Sequence, residues 1–249
     1  MSKLAIIGGT GLAHLSNLKI IHKQMEHTPY GAVSAPLITG ELCSESVVFI
    51  ARHGHGHTIP PHKINYQANI WALKSLGVEQ IIAVAAVGGI TEKMAPKTIV
   101  VPDQLIDYTY GREHTFFSDD FSPDRHIDFT HPYTNRLREA MISASDSVEC
   151  EVVDGGVYGA TQGPRLETAA EINKLERDGC DIVGMTGMPE AALARELDMD
   201  YATCAVVANW GAGRSAENIT MQEIETNLID GMQNVRDLLE KTLPLVLKK

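Results

Sequence analysis

Short apolar runs, each broken off by glycine or a polar side chain, most constrain what this chain can fold into. Leu4-Ala5-Ile6-Ile7 stops at Gly8-Gly9-Thr10-Gly11, and Val47-Val48-Phe49-Ile50 stops at Ala51-Arg52-His53. The run from Gln80 to Val87 ends in Gly88-Gly89, Ile182-Val183 ends in Gly184-Met185-Thr186, and Tyr201 to Val207 leads to Asn209. Ile99-Val100-Val101 is another short strand, and Gly155 to Gly159 reads as a strand that another backbone approaches closely. Continuous apolar runs without alternation suit strands buried on both faces, as in a parallel sheet. Between them lie segments with helical periodicity. Tyr66, Ile70, Leu73 and Leu76 recur at helical spacing between Asn65 and the capping Gly77. Further helices are expected over Asn135–Ser145, Thr168–Asp178, Pro189–Leu197 and from Thr220 to the C-terminus. Strands alternating with helices predict an α/β sandwich. With no linker or repeat in sight, one domain is expected over residues 1–249.

The side chains at the strand ends carry the chemistry. In open α/β sheets ligands bind at the carboxyl ends of the strands. There the chain places Thr10, Arg52-His53, Thr186 and Asn209. Gly9-x-Gly11 falls short of the dinucleotide fingerprint, because His14 stands where the third glycine belongs and no acidic residue follows at the usual distance. A glycine turn with a hydroxyl at Thr10 still suits a phosphate, since bare backbone can come close. Arg52-His53 reads as an anion clamp, with a rigid guanidinium fork and one more donor from the imidazole. His53, His55 and His57 alternate and invite a metal. The interleaved glycines instead favour a mobile loop, and no metal site is expected. In the strand–loop–helix unit at 181–190, Met185 and Thr186 are expected to stand exposed beside unpaired backbone N–H groups, ahead of Pro189 and Glu190 at the positive end of a helix.

A net charge of −11 argues against an extended nucleic-acid surface but leaves room for a small anion in a local pocket. No charged-then-apolar leader and no long apolar stretch appears, so a cytoplasmic protein away from membranes is expected. Cys43, Cys150, Cys180 and Cys204 are scattered and read as buried free thiols. Residues 103–134 are polar, aromatic and irregular, with Asp107, Arg112, His114, His126 and His131. Such a stretch is usually a functional loop or an oligomer contact.

Taken in order, Gly8-Gly9-Thr10-Gly11, Arg52-His53-Gly54, Asn65-Tyr66-Gln67-Ala68-Asn69, Gly88-Gly89, Gly163-Pro164-Arg165 and Met185-Thr186 with Pro189-Glu190 resemble the trimeric purine nucleoside and methylthioadenosine phosphorylases over essentially the whole length. That resemblance implies a homotrimer of three-layer α/β subunits with a mixed, partly barrel-like central sheet. It implies cleavage of a purine nucleoside by inorganic phosphate, with no metal or organic cofactor. By position it assigns phosphate to Thr10, Arg52, His53, the Ala86 backbone and Thr186. Met185 falls to the ribose, Leu166 to the purine face, and Glu167 and Asn209 to the base edge beside Gly211. Met221 and Ile224 fall to the 5′ substituent, and His126 to the 5′ pocket of a neighbouring subunit. His53 and Asn209 are the candidate catalytic residues. At Ala85 the family usually carries a polar side chain, which leaves open a nucleosidase that uses water.

The two ends of that pocket point to a substrate. Glu167 accepts from a protonated N1, and an amide at Asn209 donates toward O6 or N7, which fits a 6-oxopurine. Adenine-preferring relatives resemble the other solution, with Asp where Asn209 stands. Met221 and Ile224 offer an apolar wall that suits a 5′-methylthio group and gives a 5′-hydroxyl no partner. Methylthioinosine is therefore the expected substrate, with methylthioadenosine or a plain 6-oxopurine nucleoside as alternatives.

Overall fold

The computed structural model describes residues 3–247 apart from 13, 14, 16 and 217, so His14 lies outside the described residues. The apolar runs form the centre of the main sheet. Strand β1 (Lys3–Gly8) lies parallel to both β6 (Glu45–Ala51) and β7 (Val78–Gly89), and β7 lies parallel to β13 (Asp200–Trp210). Successive side chains on these strands enter opposite layers, as the twofold period of a strand requires. Ala5, Ile7, Val48, Ile50, Ile81 and Ala83 go to one core with Ile70 and Leu73 of α1 (Tyr66–Ser75) and Leu193 of α4 (Glu190–Glu196). Leu4, Ile6, Val47, Phe49, Ile82 and Val84 go to the other, with Leu137 and Met141 of α2 (Asn135–Ser145) and Leu228, Leu238 and Leu239 of α5 (Met221–Leu247). The result is helix, sheet, helix.

The sheet is mixed. Beyond β6 it continues antiparallel through β5 (Leu37–Leu42) and β2 (Lys19–Gln24). Strands β3 (His27–Thr28) and β4 (Gly31–Ala32) form a separate hairpin. On the other side β8 (Ile99–Val101) runs antiparallel to β13 and carries β10 (Val152–Asp154). At the end of β7 the sheet forks: Gly88 and Gly89 pair antiparallel with β12 (Ile182–Gly184), which continues to β11 (Val157–Ala160) and β9 (Gln104–Asp107). The fork needs glycine at 89, because a Cβ there would overlap the Met94 carbonyl. Helix α3 (Ala169–Arg177) covers this arm through Ile172 and Leu175.

Several sequence expectations change here. Helices do not alternate with strands throughout, since β2 to β6 form a stretch without an intervening α-helix. The segment 103–134 is not wholly irregular, because β9 joins the forked arm. All four cysteines are free, but only Cys180 and Cys204 are buried, and Cys43 is exposed. Among the described residues, no helix is long and apolar enough to cross a membrane.

Candidate active site

A cavity of about 600 Å³ opens where β1, β6, β7, β12 and β13 end. It is bounded by Thr10, Arg52, His53, Ala86, Met185, Thr186, Asn209 and Gly211 from the strand ends, and by Leu166, Glu167, Met221 and Ile224 from around α3 and α5. The structure thus brings together every expected site residue except His126. That histidine is exposed outside the cavity, edge-on to Phe121 at 5.1 Å. The fold explains the convergence. β1 pairs with β7 only as far as Ala83, while β7 runs on to Gly89, so the β1-facing edge of β7 is open from Val84 onward. The Val84 carbonyl on that edge accepts from Arg52 Nη1 at 2.9 Å. Two residues on, the strand period turns the Ala86 backbone to the same side, toward the cavity.

The anion clamp is not built as the sequence suggested. Arg52 is almost fully buried, and its fork grips Glu190, with Nε and Nη2 donating to the two carboxylate oxygens at 2.6 and 2.7 Å. Burial works against the guanidinium charge, but Glu190 more than offsets this and raises its pKa. Glu190 also accepts from the Tyr201 hydroxyl at 2.8 Å. Glu190 does open α4 as expected, but it serves as a buried counter-charge, and Arg52 keeps only its remaining N–H groups for a ligand. The loop ahead of Glu190 differs too. Thr186 is buried, and its N–H points at the Tyr158 hydroxyl, 3.4 Å away. The anion would therefore meet the hydroxyls of Thr10 and Thr186 and the β7 backbone, not a free helix terminus.

His53 also reverses its expected role. Burial first, and then the charge of Arg52, push its pKa down to about 4, so the ring is neutral at pH 7. Its Nδ1 lies 2.9 Å from the Ile59 carbonyl, which can only accept, so Nδ1 carries the hydrogen. Nε2 is then an acceptor, suited to a phosphate or sugar hydroxyl and not to a bare anionic oxygen. The glycine loop after it is folded back. Gly54 and Gly56 both take positive φ, and His57 lies over His53 with ring centroids 4.2 Å apart. His57, Thr58, Ile59 and the Pro60-Pro61 pair therefore line the cavity, which the mobile-loop reading missed. Among the described residues, no group of three or more His, Cys, Asp or Glu converges as a metal site.

At the far side, Glu167 Oε1 accepts from the Thr161 hydroxyl at 2.7 Å, which fixes the carboxylate and leaves Oε2 open. Asn209 is nearly buried and donates one amide hydrogen to the Trp210 carbonyl at 2.7 Å, leaving the other available. Met185 packs against Gly163, whose φ of +63° and missing Cβ make room for the Met185 sulfur. Met221 opens α5 at 64% exposure, whereas Ile224 beside it is buried.

A three-layer α/β fold with a mixed sheet, and with a polar corner and an apolar slot at its strand ends, fits an enzyme of the phosphorylase kind. The chain belongs to the Phosphorylase superfamily, whose sequence profile matches residues 3–244. Similar proteins within that family include nucleoside phosphorylases. A probable S-methyl-5′-thioinosine phosphorylase of Pseudomonas syringae pv. tomato is 55% identical over 98% of this chain and 99% of its own length. A 6-oxopurine nucleoside phosphorylase of Pyrococcus furiosus is 43% identical over 100% of this chain and 95% of its own. A crystal structure of methylthioadenosine phosphorylase from Schistosoma mansoni with adenine superposes with a TM-score of 0.93 at 32% identity, covering 100% of this chain and 93% of that one.

Proposed function

We propose that the protein cleaves S-methyl-5′-thioinosine with inorganic phosphate, releasing hypoxanthine and 5-methylthioribose 1-phosphate. It acts as a pentosyltransferase of the purine nucleoside phosphorylase type in purine salvage and methylthioadenosine breakdown. The observation that carries this reading is the pairing of Glu167 and Asn209 at one end of the cavity with Met221 and Ile224 at the other. Bond cleavage builds positive charge on the ribose and negative charge on the purine. Phosphate held by Thr10, Thr186 and the Ala86 backbone offsets the first and then attacks. Asn209 donates toward the purine and offsets the second, while Met185 and Leu166 hold the reactants in place. The free oxygen of Glu167 accepts from N1–H of a 6-oxopurine. A 6-aminopurine would set its N1 lone pair against that oxygen, and a mispaired buried edge discriminates strongly. The names of the Pseudomonas and Pyrococcus relatives support a 6-oxopurine. No cofactor is needed for these steps, and a homotrimer in the cytoplasm is the expected setting.

A substrate panel tests this. Methylthioinosine, methylthioadenosine, inosine and adenosine are assayed with and without phosphate, and with a chelator. We expect phosphate-dependent release of hypoxanthine, unchanged by the chelator, with the highest kcat/KM for methylthioinosine. Equal activity without phosphate would favour a nucleosidase, and equal or higher kcat/KM for methylthioadenosine or inosine would overturn the pocket assignment. Asn209→Asp should move preference toward the 6-amino substrate, and Met221→His toward inosine.

A further inference from the structure

Arg112 is buried to within 8% of full coverage, yet it takes no part in the chemistry proposed above. Its guanidinium donates only to neutral acceptors. Nη1 reaches the Met185 and Met188 carbonyls at 2.9 and 2.6 Å and the Tyr66 hydroxyl at 3.2 Å. Nη2 reaches the Thr161 and Gln162 carbonyls at 3.3 and 2.9 Å, and Nε reaches Gln162 Oε1 at 3.0 Å.

Of these acceptors Met185 lines the cavity itself, while Thr161 and Tyr66 each stand one hydrogen bond behind another part of its wall. Met185 lies beside Thr186 on the strand-end loop. Thr161 holds the Glu167 carboxylate through its hydroxyl. Tyr66 passes a hydrogen bond on to the carbonyl of Pro61, which lines the third wall, at 3.0 Å. A planar group with five N–H donors in a fixed fork can span these segments at once, whereas an ammonium offers only three donors from a single point.

We propose that Arg112 is a positioning residue that fixes the distance between the ribose floor at Met185 and the base-reading carboxylate at Glu167. It rests on the nucleoside assignment above. The clamp does not reach Arg52, which Glu190 and Val84 hold. A nucleoside spans the two clamped walls and phosphate does not. Thr186 sits on the clamped loop but Thr10 and the Ala86 backbone do not, so loosening the clamp weakens recognition of the nucleoside more than that of phosphate.

The test compares wild type with Arg112→Lys, which keeps the charge and loses the fork, and Arg112→Met, which keeps only the stem. Nucleoside and phosphate are varied separately, and hydrogen exchange is followed by mass spectrometry. We expect each variant to raise KM for the nucleoside by about tenfold or more, the worth of one or two hydrogen bonds, with KM for phosphate changed by less than about threefold. Preference for the 6-oxo over the 6-amino substrate should narrow. Exchange should quicken together at 57–59, 161–167 and 185–188 while β1 and β6 stay protected. Equal rises in both KM values, or unchanged exchange at those three segments in Arg112→Lys, would overturn the inference, even if Arg112→Met fails to fold. A wild type that releases no base from any nucleoside would overturn the functional assignment instead, and the exchange experiment would still decide the clamp.

Discussion

Glu190 holds a buried cation in place beside the cavity, and its worth is measurable. Glu190→Gln keeps the shape of the side chain but leaves the Arg52 guanidinium buried without a counter-charge, which typically costs about 3–5 kcal/mol. Urea unfolding should show that loss. A change below about 1 kcal/mol would mean that Arg52 finds another partner. His53 gives a pH-dependent counterpart. Its pKa lies at about 4 in the folded chain against an ordinary 6.5, so the unfolded chain binds more protons between those values. Its contribution is fully present above pH 6.5 and is lost as the pH falls toward 4, for a total of about 3 kcal/mol. His53→Gln should flatten the fall in stability across that window, and a variant with the same slope as wild type would place the titration elsewhere. Arg52 and His53 were visible in the sequence as polar groups at a strand end and Glu190 at the start of a helix, but their roles were not. Arg52 and Glu190 are 138 positions apart, so the ion pair exists only once β6 and α4 meet. The hydrogen on His53 is set by a carbonyl that the folded-back loop brings to it.

At the scale of elements, what the sequence made legible was what burial dictates locally. The runs at 4–7, 47–50, 80–87 and 201–207 form β1, β6, β7 and β13, because a strand covered on both faces must be apolar throughout. Strand β2 escaped notice because almost all of it is exposed at the sheet edge, where nothing demands a period. Strand β9 is short, and its neighbours belong to a fork that no local pattern announces. Thr168 shows an element steering the site. Its hydroxyl accepts from the Glu171 N–H at 3.1 Å, and the Glu171 carboxylate accepts from the Thr168 N–H at 2.7 Å, a reciprocal cap that starts α3 directly after Glu167. Thr168→Ala should cost about 1 kcal/mol of stability. By loosening the turn that carries Glu167, it should also narrow the preference for 6-oxopurines. Calorimetry and the substrate panel read the two effects, and a stability loss with unchanged preference would show that the Thr161 contact alone fixes Glu167.

For the whole molecule, the cavity mouth is the feature on which assembly bears. Met221 stands there at 64% exposure, an apolar wall without cover. The segment carrying His126 projects from the same subunit but not into that cavity. Its ends are tied down: Gln67 donates to the Thr115 carbonyl at 2.7 Å, Glu196 accepts from the Phe116 N–H at 2.8 Å, and Arg195 donates to the Asp128 and His131 carbonyls at 2.8 and 2.7 Å. Between those ties Phe121 remains 59% exposed beside His126. An apolar ring held out on a braced arm suits contact with another subunit. We expect each subunit of a homotrimer to cover its neighbour's Met221 with this arm, so that activity falls when the trimer is diluted apart. Light scattering at assay concentration checks the assembly. Mixed trimers check the shared site: His126→Ala lacks the covering residue, and Asn209→Ala lacks the base donor. Each alone should be weak, and refolding them together should restore activity above the sum of the two. The gain arises because some sites then combine an intact Asn209 with a neighbour's intact His126. A fully active monomer, or a mixture no better than its parts, would show that the arm serves some other contact.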